Sequence, residues 1–202
     1  MQFALRHAQR CTALVLLVPA AYVPRPAGQP AVRTGAATRL LFDTALRSDL
    51  MLWTATKLAP RILIRAHLAT PPAVMMTAPT DEQARVEQVL ANVLPVSLRR
   101  QGLLNDAAVV ASVGRYELER ISAPTLVIGT EDDLFGTFDA GRYTAAQIPH
   151  ARFVSYVSGG HLWVGHQNEV SAEILAFLTQ AGHQWRQPAE HVASETIETR
   201  HP

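Results

Sequence analysis

Cysteine is almost missing from this 202-residue chain: Cys11 stands alone, so no intrachain disulfide can form. Clusters of Cys and His at metal-ligand spacing are missing as well, and neither a metal nor a cofactor is expected. Packing alone must hold the fold. Charge is also sparse. Charged residues make up 17% of the chain, below the ~25% of an average soluble domain, and 18 basic against 17 acidic side chains leave a formal charge of +1. Lys57 is the one lysine, and the arginines are scattered. Such a chain has no concentrated positive field with which to neutralise phosphates, which excludes nucleic acid as a partner. An apolar run long enough to cross a bilayer is lacking too. The best candidate, residues 12–23, falls short of the roughly 20 residues a spanning helix needs and contains Pro19. No membrane partner is expected. What is present is a hydrophobic fraction of 48%, enough for a real core. The length allows one domain, or one core carrying an insertion.

The first 23 residues admit two readings. Arg6, His7 and Arg10 before an apolar stretch, with Ala20 and Ala21 near its end, have the layout of a secretory signal peptide cleaved near Ala21. Alternatively, Phe3, Ala4 and His7 fit the last turns of an amphipathic helix, and residues 14–18 are an aliphatic run closed by Pro19. Such a run suits a parallel strand covered on both faces, where alternation is not required. The rest of the chain favours helix and strand, and with them a cytoplasmic protein.

Residues 23–115 carry helical periodicity and prolines but almost no strand-like runs. Helices are expected over residues 38–58, 59–68, 80–93 and 98–118. Thr80 is the expected N-cap of the third, with Asp81 and Glu82 in its first turn, where carboxylates favour the helix dipole. The Thr70-Pro71-Pro72 and Leu94-Pro95 segments read as breaks, because a residue before proline is pushed out of the helical region. From Ile121 the pattern changes to strand (125–128), helix (138–147), strand (152–156) and helix (167–180). That alternation is the signature of a parallel sheet with right-handed crossovers. The four expected parts are a core helix and strand (1–22), an all-helical insertion (23–115), a second core portion (116–182) and a polar, disordered tail (183–202).

Two loops stand out because each directly follows a strand of that sheet, where open α/β folds place their ligands. One is Gly129-Thr130-Glu131-Asp132-Asp133; the other is Ser158-Gly159-Gly160-His161. Between Asp133 and His161 there is room for one helix and one strand, so both loops return to the same rim. A carboxylate bonded to one imidazole nitrogen fixes the tautomer and leaves the other nitrogen as a general base. The two glycines before His161 permit a tight turn that presents its ring.

The stretch Ile121-Ser-Ala-Pro-Thr-Leu-Val-Ile-Gly-Thr-Glu-Asp-Asp133 resembles the segment around the acidic triad member of the α/β hydrolases. Ser158-Gly-Gly-His161, with the amphipathic helix ending Ile174-Leu-Ala-Phe-Leu178, resembles that family's histidine loop and last helix. Gln2-Phe-Ala-Leu-Arg-His7 and Ala13-Leu-Val-Leu-Leu-Val-Pro19 are similar to its nucleophile helix and the following strand. The resemblance implies a parallel-sheet α/β core with an all-helical cap, Asp133 as the orienting carboxylate in preference to Asp132, His161 as the base, and a small apolar, ester-like substrate. The departure is equally plain. The family's serine sits on a G-x-S-x-G elbow, and no such motif occurs in these 202 residues. The implied reading is the C-terminal part of a hydrolase, inactive alone, whose strand over residues 14–18 lacks its family neighbour and self-associates through the unpaired edge. The competing reading is a non-catalytic binding protein on the same scaffold.

Blander roles stand beside these. Asp132 and Asp133 suit a turn, and His161 a surface loop. His166 reads as a capping or solvated residue, Ser158 as a loop residue, and Cys11 as an inert, packed thiol. Trp53, Met75 and Met76 read as core in preference to a substrate pocket.

Overall fold

A computed structural model describes residues 1–24 and 47–186. Among them are eight α-helices and one three-stranded parallel sheet. Helix α1 (Gln2–Arg6) leads into strand β1 (Leu14–Leu17). Helices α2 (Asp49–Leu58), α3 (Pro60–His67), α4 (Pro72–Thr77), α5 (Thr80–Ala91) and α6 (Val96–Ala111) follow. The chain then returns through β2 (Thr125–Thr130), α7 (Thr137–Gln147), β3 (Arg152–Tyr156) and α8 (Gln167–Arg186). The expected parallel α/β core is present.

Strand order is β1-β2-β3, with Leu14 opposite Thr125 and Leu126 opposite Arg152. All six residues of β2 are buried, as a central strand covered on both faces requires. Side chains alternate across the sheet. Leu126 and Ile128 join Val15, Leu17, Val154 and Tyr156 under α8, which answers with Val170, Ile174 and Phe177. Those three helical positions recur at one face of a 3.6-residue period. On the opposite face, Gly141 of α7 lies so close that a Cβ there would sit 3.5 Å from both Val127 and Phe153. Leu14 and Leu16 share that face with Ala4, Leu118, Ile121 and Ile148.

The helices between β1 and β2 build a separate core. Leu52, Leu63, Ile64, Leu68, Met75, Val86, Leu90 and Val96 pack together, and Val164, from beyond β3, is buried among them. Pro60 and Pro72 both occupy the first turn of a helix, where a missing N–H costs nothing. The stretch read as a break at Thr70-Pro71-Pro72 is therefore a break and a start at once, and α4 was not expected. Thr80 is not an N-cap: Pro79 holds that position, and no side chain caps the helix. Of the two first-turn carboxylates, Glu82 turns inward and is buried, whereas Asp81 is exposed.

Several boundaries differ from expectation. The helix expected over 98–118 starts at Val96 and ends at Ala111, shortly before Gly114. Helix α8 runs on through residues 183–186, into the segment expected to be disordered; 187–202 lie outside the described residues. So do residues 38–46 of the first expected helix of the insertion, whose later part is α2. Met75 is core, whereas Trp53 and Met76 are exposed. No helix among the described residues is long and apolar enough to cross a membrane.

Candidate functional site

Both loops singled out in the sequence leave the same end of the sheet, one from β2 and one from β3. They are fastened to each other at several points. The Thr130 hydroxyl donates to the Gly160 carbonyl at 2.7 Å, and the Glu131 N–H donates to the Tyr156 carbonyl. Asp132 accepts from the N–H groups of Gly159 and Gly160, at 3.2 and 2.8 Å. Asp132 is therefore not a mere turn residue. Its carboxylate holds the backbone of the histidine loop.

Asp133 and His161 meet. His161 Nδ1 lies 2.8 Å from Asp133 Oδ2, with the carboxylate fully covered and the imidazole partly open. The carboxylate also accepts from the Phe135 N–H at 2.9 Å and from the Thr137 hydroxyl. Burial pushes the Asp133 carboxyl up, but the bonds from His161, Thr137 and the Phe135 N–H outweigh it and hold the group below the usual carboxylate range. An ionised carboxylate is acceptor only, so the shared proton resides on Nδ1. Neutral His161 then presents Nε2 as an acceptor. The Phe135 ring stands edge-on to the imidazole at 4.8 Å between centroids. Phe135 leaves apolar surface exposed beside the pair, and Leu134 and Val157, on the same two loops, are exposed as well.

Backbone geometry makes the loop possible. Gly160 has φ +60°, and a Cβ there would lie 2.7 Å from Thr70 Cα, closer than a side chain can approach. Gly159, at φ +135°, needs the same freedom. The close neighbour belongs to the connection between α3 and α4. The Ala69 carbonyl of that connection accepts from the Leu134 N–H at 3.1 Å and the His161 N–H at 3.4 Å. One buried carbonyl thus touches both loops.

His166, expected to be capping or solvated, stacks on Tyr156 at 4.3 Å and holds Glu169 through Nδ1 at 2.7 Å. It sits just before α8, but its ring is engaged by these two side chains. Burial, with Glu169 and Glu173 behind it, pushes the Tyr156 hydroxyl up. Ser158 is an exposed loop residue. Cys11 is half-buried, and its Sγ bonds the Ala13 carbonyl. No group of three or more His, Cys, Asp or Glu able to hold a metal occurs among the described residues.

No family model and no curated protein matches the sequence. Solved structures do. An alpha/beta hydrolase fold protein from Nakamurella multipartita is 24% identical, with a TM-score of 0.54, over 90% of this chain and 65% of its own. A hydrolase from Pseudomonas aeruginosa is 25% identical, with a TM-score of 0.57, over 89% of this chain and 58% of its own. A thermophilic esterase from Thermogutta terrifontis is 22% identical, with a TM-score of 0.54, over 89% of this chain and 60% of its own. The fold is that of the α/β hydrolases. The chain spans under two thirds of the length of each of these three structures.

Proposed function

We propose that this chain supplies the acid-base half of an α/β hydrolase site, acting on small, apolar, ester-like substrates. The observation that carries the reading is the 2.8 Å contact between His161 Nδ1 and Asp133 Oδ2, made by loops that follow neighbouring parallel strands. Asp133 holds the Nδ1–H tautomer and stabilises imidazolium. His161 Nε2 takes the proton of a hydroxyl nucleophile as its oxygen attacks the substrate carbonyl, then returns that proton to the leaving alkoxide. A water molecule repeats the sequence to release the acid. The likeness to an esterase and the exposed apolar side chains of Leu134, Phe135 and Val157 support the substrate class.

The nucleophile is the missing partner, since no G-x-S-x-G occurs in the sequence. The chain by itself therefore carries the base without the group the base would activate. The helices between β1 and β2 act, in this reading, as a cap over the site. The test is turnover of p-nitrophenyl esters by the chain alone and by the chain joined to an upstream segment bearing the elbow. The expected result is no turnover alone, turnover when joined, and its loss by about 10³-fold or more in His161→Ala. Turnover that survives His161→Ala would overturn the assignment. Ligand binding without turnover in either form would favour the binding-protein reading.

A further inference from the structure

The helices that precede β2 reach the histidine loop through a second set of contacts, far from it in sequence. Glu82, in the first turn of α5, is buried although charged. Its Oε2 accepts from Arg85 Nη2 at 2.8 Å and Nε at 3.3 Å, and also from the Gly165 N–H at 3.2 Å. Arg85 Nη2 in turn donates to the Leu162 carbonyl at 2.9 Å. The two side chains thus grip the segment just after His161 by one N–H and one carbonyl, three residues apart. The apolar side chains agree with the polar ones. Val164 is buried in the helical core with Leu162 packed against it, while Trp163 turns the other way toward the sheet and α8. Gly165 and Trp163 both have positive φ, which lets the loop face two partners within four residues.

A buried carboxylate is costly unless paired and bonded. Here it is both, and each partner also satisfies loop backbone. An ion pair that served α5 alone would have no need of the Gly165 N–H or the Leu162 carbonyl. Together with the Ala69 carbonyl on the His161 N–H, these contacts fix the loop at His161 and along the four residues that follow it.

We propose that Glu82 and Arg85 are positioning residues that hold the His161 ring in register with Asp133. The proposal rests on the reading of Asp133 and His161 as an acid-base pair. It assigns to α5 a task separate from covering substrate: the tautomer of His161 depends on a latch about eighty positions upstream.

The test reads the imidazole directly. Ring ¹⁵N shifts of His161, assigned against His161→Ala and recorded by magic-angle spinning so that no monomer is required, report the ratio of Nδ1–H to Nε2–H tautomers. The parent chain is expected to be almost wholly Nδ1–H. Glu82→Ala and Arg85→Met are expected to lower that ratio about tenfold, with Glu82→Gln, which keeps one acceptor oxygen, in between. The exchange E82R/R85E restores opposite charges but sets a cation against the Gly165 N–H and a carboxylate against the Leu162 carbonyl. It is expected not to rescue the tautomer. Thermal melts check that each variant is folded, and Glu82→Gln serves if the alanine variant is not. A parent-like ratio in the folded single variants, or rescue by the exchange, would overturn the latch while leaving the pair intact. A parent chain that itself lacks the Nδ1–H tautomer would instead overturn the pair.

Discussion

The two outer strands of the sheet are built on different plans. Strand β3 reads Arg-Phe-Val-Ser-Tyr and is guarded: Arg152 at its start is exposed and pairs with Glu173 of α8, and Ser155 faces outward. Strand β1 reads Leu-Val-Leu-Leu and has no such device. Its pairing uses the Leu14 and Val18 N–H groups toward β2, so the backbone of Val15 and Leu17 is directed to the other side. An edge of charged and polar residues discourages further pairing, whereas an apolar edge invites it. β3 has the composition of a boundary, and β1 has the composition of an interior strand.

The contrast is most directly broken by proline. The chain is expected to run as an oligomer or to precipitate in sizing experiments, because β1 recruits a further strand. Val15→Pro removes an N–H that does not serve β2 and blocks pairing on the outer side. It is expected to shift the population to monomer. A monodisperse parent monomer, or a variant of unchanged mass, would dismiss the open edge as the cause.

Acid sharpens the contrast from the other flank. Strand β1 itself has no titratable side chain, while Asp133 on the β2–β3 rim is held ionised by its hydrogen bonds. Because that carboxyl is held below its ordinary value in the fold, its contribution is complete above about pH 3.9, the unfolded value. It is lost as pH falls through the folded value. Asp133→Asn is expected to be less stable near neutrality by about 1.5–3 kcal/mol and to show a flatter loss of stability below about pH 4. Thermal melts across pH check both, and parallel slopes would refute them. The smallest effect is expected at β3. Arg152→Val removes an exposed ion pair worth at most about 1 kcal/mol and leaves Ser155 as the remaining polar guard of an edge otherwise closer in composition to β1, so sizing at raised concentration should show added self-association where Arg152→Lys shows none.

How far the sequence reveals these features depends on their range. The strands expected over 125–128 and 152–156 and the helix expected over 167–180 announce themselves because buried runs and helical periodicity are local, although β2 continues through Gly129 and Thr130, read in the sequence as loop, and α8 continues to Arg186. The meeting of Asp133 and His161 is legible for a topological reason: loops after neighbouring parallel strands must share a rim. The separate job of Asp132 is not legible, since adjacent aspartates look alike until backbone N–H groups are placed around one of them. Helix α4 hides behind two prolines that mark an end and a beginning equally well. Glu82 looks like an ordinary first-turn carboxylate, and no local pattern ties it to Gly165. That tie exists only once α5 and the loop after β3 pack together.

The carbonyl of Ala69, shared by the N–H groups of Leu134 and His161, bears on how such proteins diversify. A chimera that grafts in a different helical segment cannot treat it as an interchangeable attachment, because the donor must also bring an acceptor to that spot and leave room for Gly160. Recombination at the ends of β1 and β2 would respect the sheet and still scramble the histidine. Successful exchanges should therefore keep the joint between α3 and α4 with the recipient scaffold.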